Sequence, residues 1–369
     1  MKELKRVIIS GGGTGGHIFP AISIADQIKE RNPKAKILFI GALGKMEMQR
    51  VPKAGYRISG LPIAGFQRKF TWSNFLLPIK IIKSLLKARK LIKNFKPQVV
   101  IGVGGYASGP TLKMANMMNI PTVIQEQNSF PGKTNRMLSK GSSAICCAYE
   151  GVRRFFPEEK IILTGNPIRK KVVDIAGKKK QAITFFRLDS NKKTVLVIGG
   201  SLGAKSLNKC LRKNRKLLNK SDIQIIWQCG KLYHEKLSVI FKMGKYENIH
   251  LHQFIDRMDL AYCAADIIVS RAGAISVSEL CVVGKPIILV PSPNVTDDHQ
   301  TKNAMELVSK DAAILVQDLD VKSSLITAIF DLVENDELKS SLSSQILKLS
   351  ITNASERIVD VCEKIAFTK

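Results

Sequence analysis

Acidic residues are scarce in this 369-residue chain: 30 Asp and Glu stand against 58 Lys and Arg, a formal net charge of +28. Beside the plain reading of solvated lysine tracts such as Lys178-Lys179-Lys180, that excess points to nucleic acid, an anionic membrane surface or a polyphosphate substrate. Aromatic residues are also few, with six Tyr and two Trp. No helix-turn-helix, zinc-finger or RNA-recognition signature accompanies the charge, so no nucleic acid partner is expected. Long apolar runs are missing as well. None approaches the ~18 residues that span a bilayer, and Val7-Ile8-Ile9 is too short for a signal-peptide core. The expectation is a cytoplasmic protein, with peripheral membrane contact left open. The seven cysteines are odd in number and form no CxxC pair. That excludes a disulfide framework or a zinc site and implies buried thiols in a reducing compartment. What remains, 45% apolar and 24% charged over a length suited to two domains, is globular.

The richest stretch is Gly11-Gly12-Gly13-Thr14-Gly15-Gly16-His17, between the apolar run Val7–Ile9 and the amphipathic segment Ile22–Ile28. Strand, glycine turn and helix in that order aim backbone N–H groups and a helix N-terminus at a phosphate. By itself GxGxxG is a weak signal, because such turns also merely pack helix on strand. A second unit, Val195–Ile198 followed by Gly199-Gly200-Ser201-Leu202-Gly203-Ala204, strengthens it. Short β-branched runs alternate with helical patterns at Ile37–Ile40, Val99–Ile101, Pro121–Ile124, Ile161–Leu163, Thr194–Ile198, Ile223–Trp227, Ile267–Val269 and Pro286–Val290. They predict parallel α/β sheets. The fold expected is therefore α/β, with two Rossmann-like domains facing across a cleft. Domain boundaries fall at 1–166 and 167–351, and an amphipathic tail over about 352–369 is free to pack back on the first domain.

Further turns sit at strand ends. Gly104-Gly105-Tyr106-Ala107-Ser108-Gly109-Pro110 can bring N–H groups and a hydroxyl to a second anion, although on this motif alone a tight strand-helix turn is the favoured reading. Gln125-Glu126-Gln127-Asn128 lies where open sheets bind ligands. Ser270–Glu279 reads as a glycine turn opening a helix near Ser276, able to hold a diphosphate, with Glu279 either placed for a ribose diol or simply complementing the helix dipole. Asp297-Asp298-His299-Gln300 lacks ligand spacing and reads as a polar loop rather than a metal site. A nicotinamide enzyme needs an acid at the end of the second strand, where this chain has Ile40-Gly41-Ala42-Leu43. Between Phe75 and Phe95, Lys80, Lys83, Lys87 and Lys90 share one helical face beside an apolar arc of Ile79, Ile81, Ile82, Leu85, Leu86 and Ile92. This is either an ordinary sheet-covering helix or one that rests on anionic lipid.

In this order the motifs resemble the MurG family, bacterial peptidoglycan N-acetylglucosaminyltransferases, nearly end to end from Gly12 to about Arg357. The matching segments include Gly12–His17, Gly104–Pro110, Glu126–Asn128, Gly165–Arg169, Gly199–Ala204, Phe254–Asp256, Arg271–Glu279 and His299-Gln300. The chain departs at Gln125, where the family usually has His, and at Leu202, often Gln. The resemblance implies a B-type glycosyltransferase that moves N-acetylglucosamine from UDP-N-acetylglucosamine to lipid I, giving lipid II, at the cytoplasmic face of the inner membrane. It implies a donor site of Thr14, Gly15, Gly16, Asn128, Arg169, Ser201, Ile255, Ala274, Ile275, Ser276, Val277, Ser278, Glu279 and Gln300. The acceptor site is then Gly104, Gly105, Tyr106 and Ser108, and the four lysines dock the lipid-linked substrate's membrane. No cofactor and no metal are expected, because the helix start near Ser276 with Arg169 or Arg271 can balance the leaving diphosphate. His17 is the expected base, with Glu126 as rival or as the group orienting it. A different lipid-acceptor glycosyltransferase of this fold, or a basic non-catalytic adaptor, are the alternatives.

Overall fold

The computed structural model describes residues 3–63, 77–295 and 298–368. The chain divides into two compact units, Met1–Ile168 with Asn353–Lys369, and Arg169–Thr352. In the first, seven strands form one parallel sheet: β1 (Arg6–Ser10), β2 (Lys36–Ala42), β3 (Arg57–Leu61), β4 (Val99–Gly102), β5 (Thr122–Glu126), β6 (Ala144–Cys147) and β7 (Ile161–Leu163). Their order is β3-β2-β1-β4-β5-β6-β7. The β-branched runs explain why both faces are buried. Val7, Ile9, Val99 and Ile101 pack on one side with Ile24, Ile28 and Ile358. Ile8, Val100, Ile124 and Ile145 pack on the other with Ala88, Ile92 and Leu112. The helix Ala354–Phe367 joins this unit, and Arg31 of the helix Gly15–Arg31 bridges to its Asp360 at 2.7 Å and Glu363 at 2.9 Å.

The second unit repeats the plan with β8 (Lys193–Ile198), β9 (Ile223–Gln228), β10 (Ile249–His252), β11 (Ile267–Ser270), β12 (Ile287–Leu289) and β13 (Ile314–Leu315). They are ordered β10-β9-β8-β11-β12-β13, all parallel. In both sheets the strand order reverses beside the first strand of the unit. An open α/β sheet binds its ligands at that switch point, beyond the strands' carboxyl ends. The chain therefore has two such points, between β1 and β4 and between β8 and β11.

The basic helix runs over Leu77–Phe95, and its apolar arc is divided: Leu85 and Ile92 pack on the sheet side, while Ile79, Ile81, Ile82 and Leu86 stay exposed. Ser84, Ala88 and Ile92 are buried, with Leu85 and Leu91 partly so. Ile79, Ile82 and Leu86 are 50%, 57% and 61% exposed, and Ile81 is exposed too. Of the four lysines, Lys87 is tied down, donating to the Gly60 carbonyl at 2.7 Å.

All seven cysteines are buried and unbridged, and burial pushes the thiols of Cys146, Cys147, Cys229, Cys281 and Cys362 upward. Raised thiols are poor nucleophiles. On β10, His250 and His252 have buried Nε2 atoms without a hydrogen-bond partner. Burial is the main cause that lowers both pKa values, helped by His252 for His250 and by His234 for His252. A group whose folded pKa lies below its unfolded value, ~6.5 for His, costs nothing well above that pH. Stability is then lost as the pH falls below it, because the unfolded chain binds the protons more readily. The thermal midpoint is expected to drop on going from about pH 7.5 to about pH 5.5. His252→Phe, which keeps the edge contact to Phe186, should flatten that drop, and an unaltered pH slope would place the acid sensitivity elsewhere.

Candidate active site

At the switch point of the first unit, the loop after β1 lies directly against the loop after β4. Gly12 N–H donates to the Gly104 carbonyl at 3.2 Å, and Val103 N–H to the Ser10 carbonyl at 2.9 Å. Gly105 has φ +87° and approaches so closely that a Cβ there would lie 2.3 Å from the Gly12 oxygen. Only glycine allows that contact. The helices Gly15–Arg31 and Ser108–Met117 both start here, and neither carries an acid in its first turn. The N-terminal ends of helices are suited to anionic groups.

His17 sits over this junction. Its Nδ1 lies 3.1 Å from the Gly12 carbonyl oxygen and 3.3 Å from Thr14 Oγ1. A carbonyl only accepts, so Nδ1 carries the hydrogen and the lone pair is left on Nε2. The Nε2 edge faces Gly104, where a Cβ would come within 2.9 Å. A neutral ring in that tautomer is what a general base requires.

Glu126 does not fit the rival role. It is 1% exposed, and its Oε1 accepts from Asn128 N–H and Nδ2 at 3.0 and 3.2 Å. Its Oε2 accepts from Gly132 N–H at 3.1 Å and Asn135 Nδ2 at 2.8 Å. Four donors hold the carboxylate as a brace for the 126–135 loop, which suits neither proton abstraction nor orientation of His17. Ser108 also faces inward. Its hydroxyl is fully buried, donating to the carbonyls of Ser10 at 2.7 Å and Gly104 at 3.1 Å. Ser108 secures the turn, while Tyr106 beside it is 48% exposed. Gln125 is buried in an amide network, its Nε2 donating to Asn166 Oδ1 at 3.2 Å and its Oε1 accepting from Gln127.

In the second unit, the loop Gly199–Gly203 is pinned by Lys231 N–H donating to the Ser201 carbonyl at 3.0 Å, and the Ser201 side chain stays exposed. The helix after β11 starts at Ala274, two residues before the expected Ser276, with Gly273 at its cap and no acid in the first turn. Ser276 and Ser278 are partly exposed, whereas Ala274, Ile275 and Val277 are buried, so those three offer only backbone. Ile255 is buried, and its N–H is spent on Gln228 Oε1 at 3.1 Å. Gln300 Oε1 accepts from Ser292 N–H at 2.9 Å, fixing the loop after β12. Asp297 lies outside the described residues. Among the described residues no cluster of three or more His, Cys, Asp or Glu could hold a metal.

Two arginines were candidates for the leaving diphosphate, and the structure separates them. Arg271 is consumed: Nη1 donates to the Val290 and Pro291 carbonyls at 3.0 Å each and to Asp318 Oδ1 at 2.6 Å, while Nη2 donates to Ser206 Oγ at 2.9 Å. It clamps four segments together, which commits most of the guanidinium to the fold. Arg169 makes a two-pronged contact to Glu279, Nε to Oε1 at 2.9 Å and Nη2 to Oε2 at 3.1 Å. Glu279 is buried, and the Tyr262 hydroxyl also bonds to it. Burial, then Glu279's charge, raises the Tyr262 pKa well above the usual phenol range. A ribose diol at Glu279 would therefore compete with Arg169 and Tyr262 for the carboxylate oxygens. Sequence reasoning missed Tyr262, Asp318 and Gln228, whose partners are remote in the chain.

Residues 7–146 match the model of the glycosyltransferase family 28 N-terminal domain, and residues 194–358 that of its C-terminal domain. These matches and the two Rossmann-like sheets define the class, a B-type glycosyltransferase. A curated UDP-N-acetylglucosamine--N-acetylmuramyl-(pentapeptide) pyrophosphoryl-undecaprenol N-acetylglucosamine transferase from Flavobacterium psychrophilum is 53% identical over 98% of both chains. Its namesake from Bacteroides fragilis is 52% identical over 98% of this chain and 96% of that one. The crystal structure of Acinetobacter baumannii MurG superposes with a TM-score of 0.76 at 28% identity, covering 98% of this chain and 99% of that one. The chain belongs to glycosyltransferase family 28, in its MurG branch.

Proposed function

We propose that this chain transfers N-acetylglucosamine from UDP-N-acetylglucosamine to the 4-hydroxyl of the muramyl sugar of lipid I, forming lipid II. The observation that carries this reading is identity above 50%, end to end, with transferases named for that activity. Going from an α-linked nucleotide sugar to a β-linked product takes a single in-line displacement. His17 Nε2 accepts the proton of the attacking hydroxyl while UDP departs. The leaving diphosphate is met by the N-terminus of the helix Ala274–Val283 and by Arg169 once it is drawn off Glu279. Glu279 then accepts from the ribose hydroxyls. Thr14, Gly15 and Gly16 at the first helix start, with Asn128, Ser201, Ser276 and Gln300, complete the donor contacts, and the Gly104–Tyr106 turn takes the acceptor. Transfer of labelled N-acetylglucosamine to a lipid I analogue tests this directly. Turnover with a different nucleotide sugar or acceptor, and none with this pair, would overturn it in favour of another lipid-acceptor transferase.

We place the protein peripherally on the cytoplasmic face of the membrane that holds its acceptor, docked through the helix Leu77–Phe95. No described helix is long and apolar enough to cross a bilayer. This helix instead presents exposed Ile79, Ile82 and Leu86 among lysines, a pattern that seats apolar side chains below anionic headgroups. Because Lys87 is held by Gly60, the informative variant replaces Lys80, Lys83 and Lys90 by Gln. At about 1 kcal/mol per basic residue, their loss should weaken binding to anionic vesicles by roughly a hundredfold at low salt. Leu86→Ser should weaken it at every salt concentration. Turnover on a short-chain soluble acceptor should hardly change. Unaltered vesicle sedimentation in both variants would reduce this face to an ordinary solvated surface.

A further inference from the structure

Glu47 opens the short helix Glu47–Lys53 after β2, and at 1% exposure it is a buried carboxylate. Its Oε1 accepts from Ala42 N–H at 2.9 Å, and its Oε2 accepts from Gly13 N–H at 2.8 Å. The second contact reaches into the glycine loop. The surrounding backbone is cut to fit it: a Cβ at Gly12 would lie 2.2 Å from the Glu47 carboxyl carbon, and one at Gly41 would lie 2.5 Å from its Cγ. Gly12 and Gly13 have φ of +145° and +90°, a turn that glycine adopts without strain. Burying a carboxylate is costly unless its oxygens are well satisfied. Here its oxygens meet a strand end and the loop under His17.

The Gly13 N–H and the Gly12 carbonyl belong to one peptide group. The N–H of that group donates to Glu47, and its oxygen accepts from His17 Nδ1 at 3.1 Å. A planar peptide carries its N–H and C=O on opposite sides, so carboxylate, peptide and imidazole form one line of hydrogen bonds. Hydrogen bonds in such a line polarise one another. We infer that Glu47 is the positioning residue of the transfer reaction, acting on His17 through the Gly12–Gly13 peptide. The negative carboxylate pulls on the N–H, which makes the Gly12 oxygen a stronger acceptor. That oxygen holds the hydrogen on Nδ1, keeps the lone pair on Nε2 and favours the imidazolium formed when Nε2 takes a proton. A carboxylate does the same for a catalytic histidine when it touches the ring directly. In this chain a backbone peptide stands between the two, and Glu126, the acid closest in type to that role, is otherwise occupied.

The inference rests on His17 as base, and the test keeps the two apart. In native protein with 15N-labelled histidine, long-range 1H–15N NMR, assigned with His17→Gln, should show His17 protonated on Nδ1 and bare on Nε2. In Glu47→Gln, an amide NH2 faces one of the two backbone N–H donors. The Nε2–H tautomer of His17 should then grow, and kcat should fall roughly 10- to 100-fold. KM for the donor should move little. Glu47→Asp, too short to span both N–H groups, should not rescue. A structural brace alone would lower thermal stability and leave the ring signals as they are. His17→Gln with full turnover would overturn the base itself. An inactive His17→Gln beside a Glu47→Gln enzyme of native turnover and tautomer would overturn the relay alone. Native protein with hydrogen on Nε2 would overturn the relay whether or not the Glu47 variants fold.

Discussion

His17→Gln is expected to lower kcat by about 10²- to 10⁴-fold, the range a positioned general base contributes. The side chain lies over the junction of the two glycine loops, with Nδ1 on the Gly12 carbonyl. Glutamine is about as long, so the loops need not collapse, and a glutamine amide has no basic nitrogen. A residue that acts only in the transition state lowers kcat and kcat/KM together and leaves donor binding alone. Steady-state transfer at saturating acceptor, with donor affinity measured separately by calorimetry, distinguishes the cases. If donor affinity collapses while kcat at saturation survives, His17 belongs to the donor site, and the proton goes elsewhere.

Glu279→Gln is expected to act on binding instead. Its carboxylate is engaged by Arg169 and Tyr262. Replacing it removes the charge that has to accept from the ribose diol once Arg169 leaves. Charge-assisted hydrogen bonds are worth about 1.5–3 kcal/mol, a roughly tenfold to hundredfold rise in donor KM. The same change releases Arg169 from its partner, and some thermal stability should go with it. Arg169 is about one-third exposed, its side chain at 32%, so water compensates part of that loss. An unchanged donor KM with collapsed kcat would move Glu279 out of the ribose site and into the chemistry. A double variant with Arg169→Gln separates the terms, since two residues in direct contact should show a non-additive effect.

Much of the fold was legible. Runs such as Val7–Ile9, Val99–Ile101 and Ile267–Val269 lie in central strands because only a strand buried on both faces is apolar at every position. Three of the strands that escaped notice, β3, β10 and β13, are sheet edges, where one neighbour is missing and polar residues such as Arg57 and His250 are tolerated. The fourth, β6, reads Ala-Ile-Cys-Cys and has little β-branching to mark it. Helical periodicity likewise marked the stretch between Phe75 and Phe95 as helix without marking which face meets the sheet. Both sides carry Ile and Leu, and the narrow buried seam runs through Ser84 and Ala88.

The two glycine turns, the helix starts behind them and the basic excess follow from local chemistry, because a strand, a glycine pair and a helix can be laid out from residues adjacent in the chain. The family resemblance is legible at the same level, carried by short motifs in order. The fate of each polar side chain is not local. Ser108 turns inward to Ser10, Arg271 to Asp318 and Arg169 to Glu279, partners 98, 47 and 110 residues away. A buried hydrogen-bonding group takes whichever partner the packed chain brings within about 3 Å. The unit that the helix Ala354–Phe367 joins was decided the same way, by Arg31 meeting Asp360 and Glu363. So was the meeting of Glu47 with the loop that carries His17: sheet order sets β2 beside β1, and only that adjacency brings a carboxylate to the peptide on which the histidine leans.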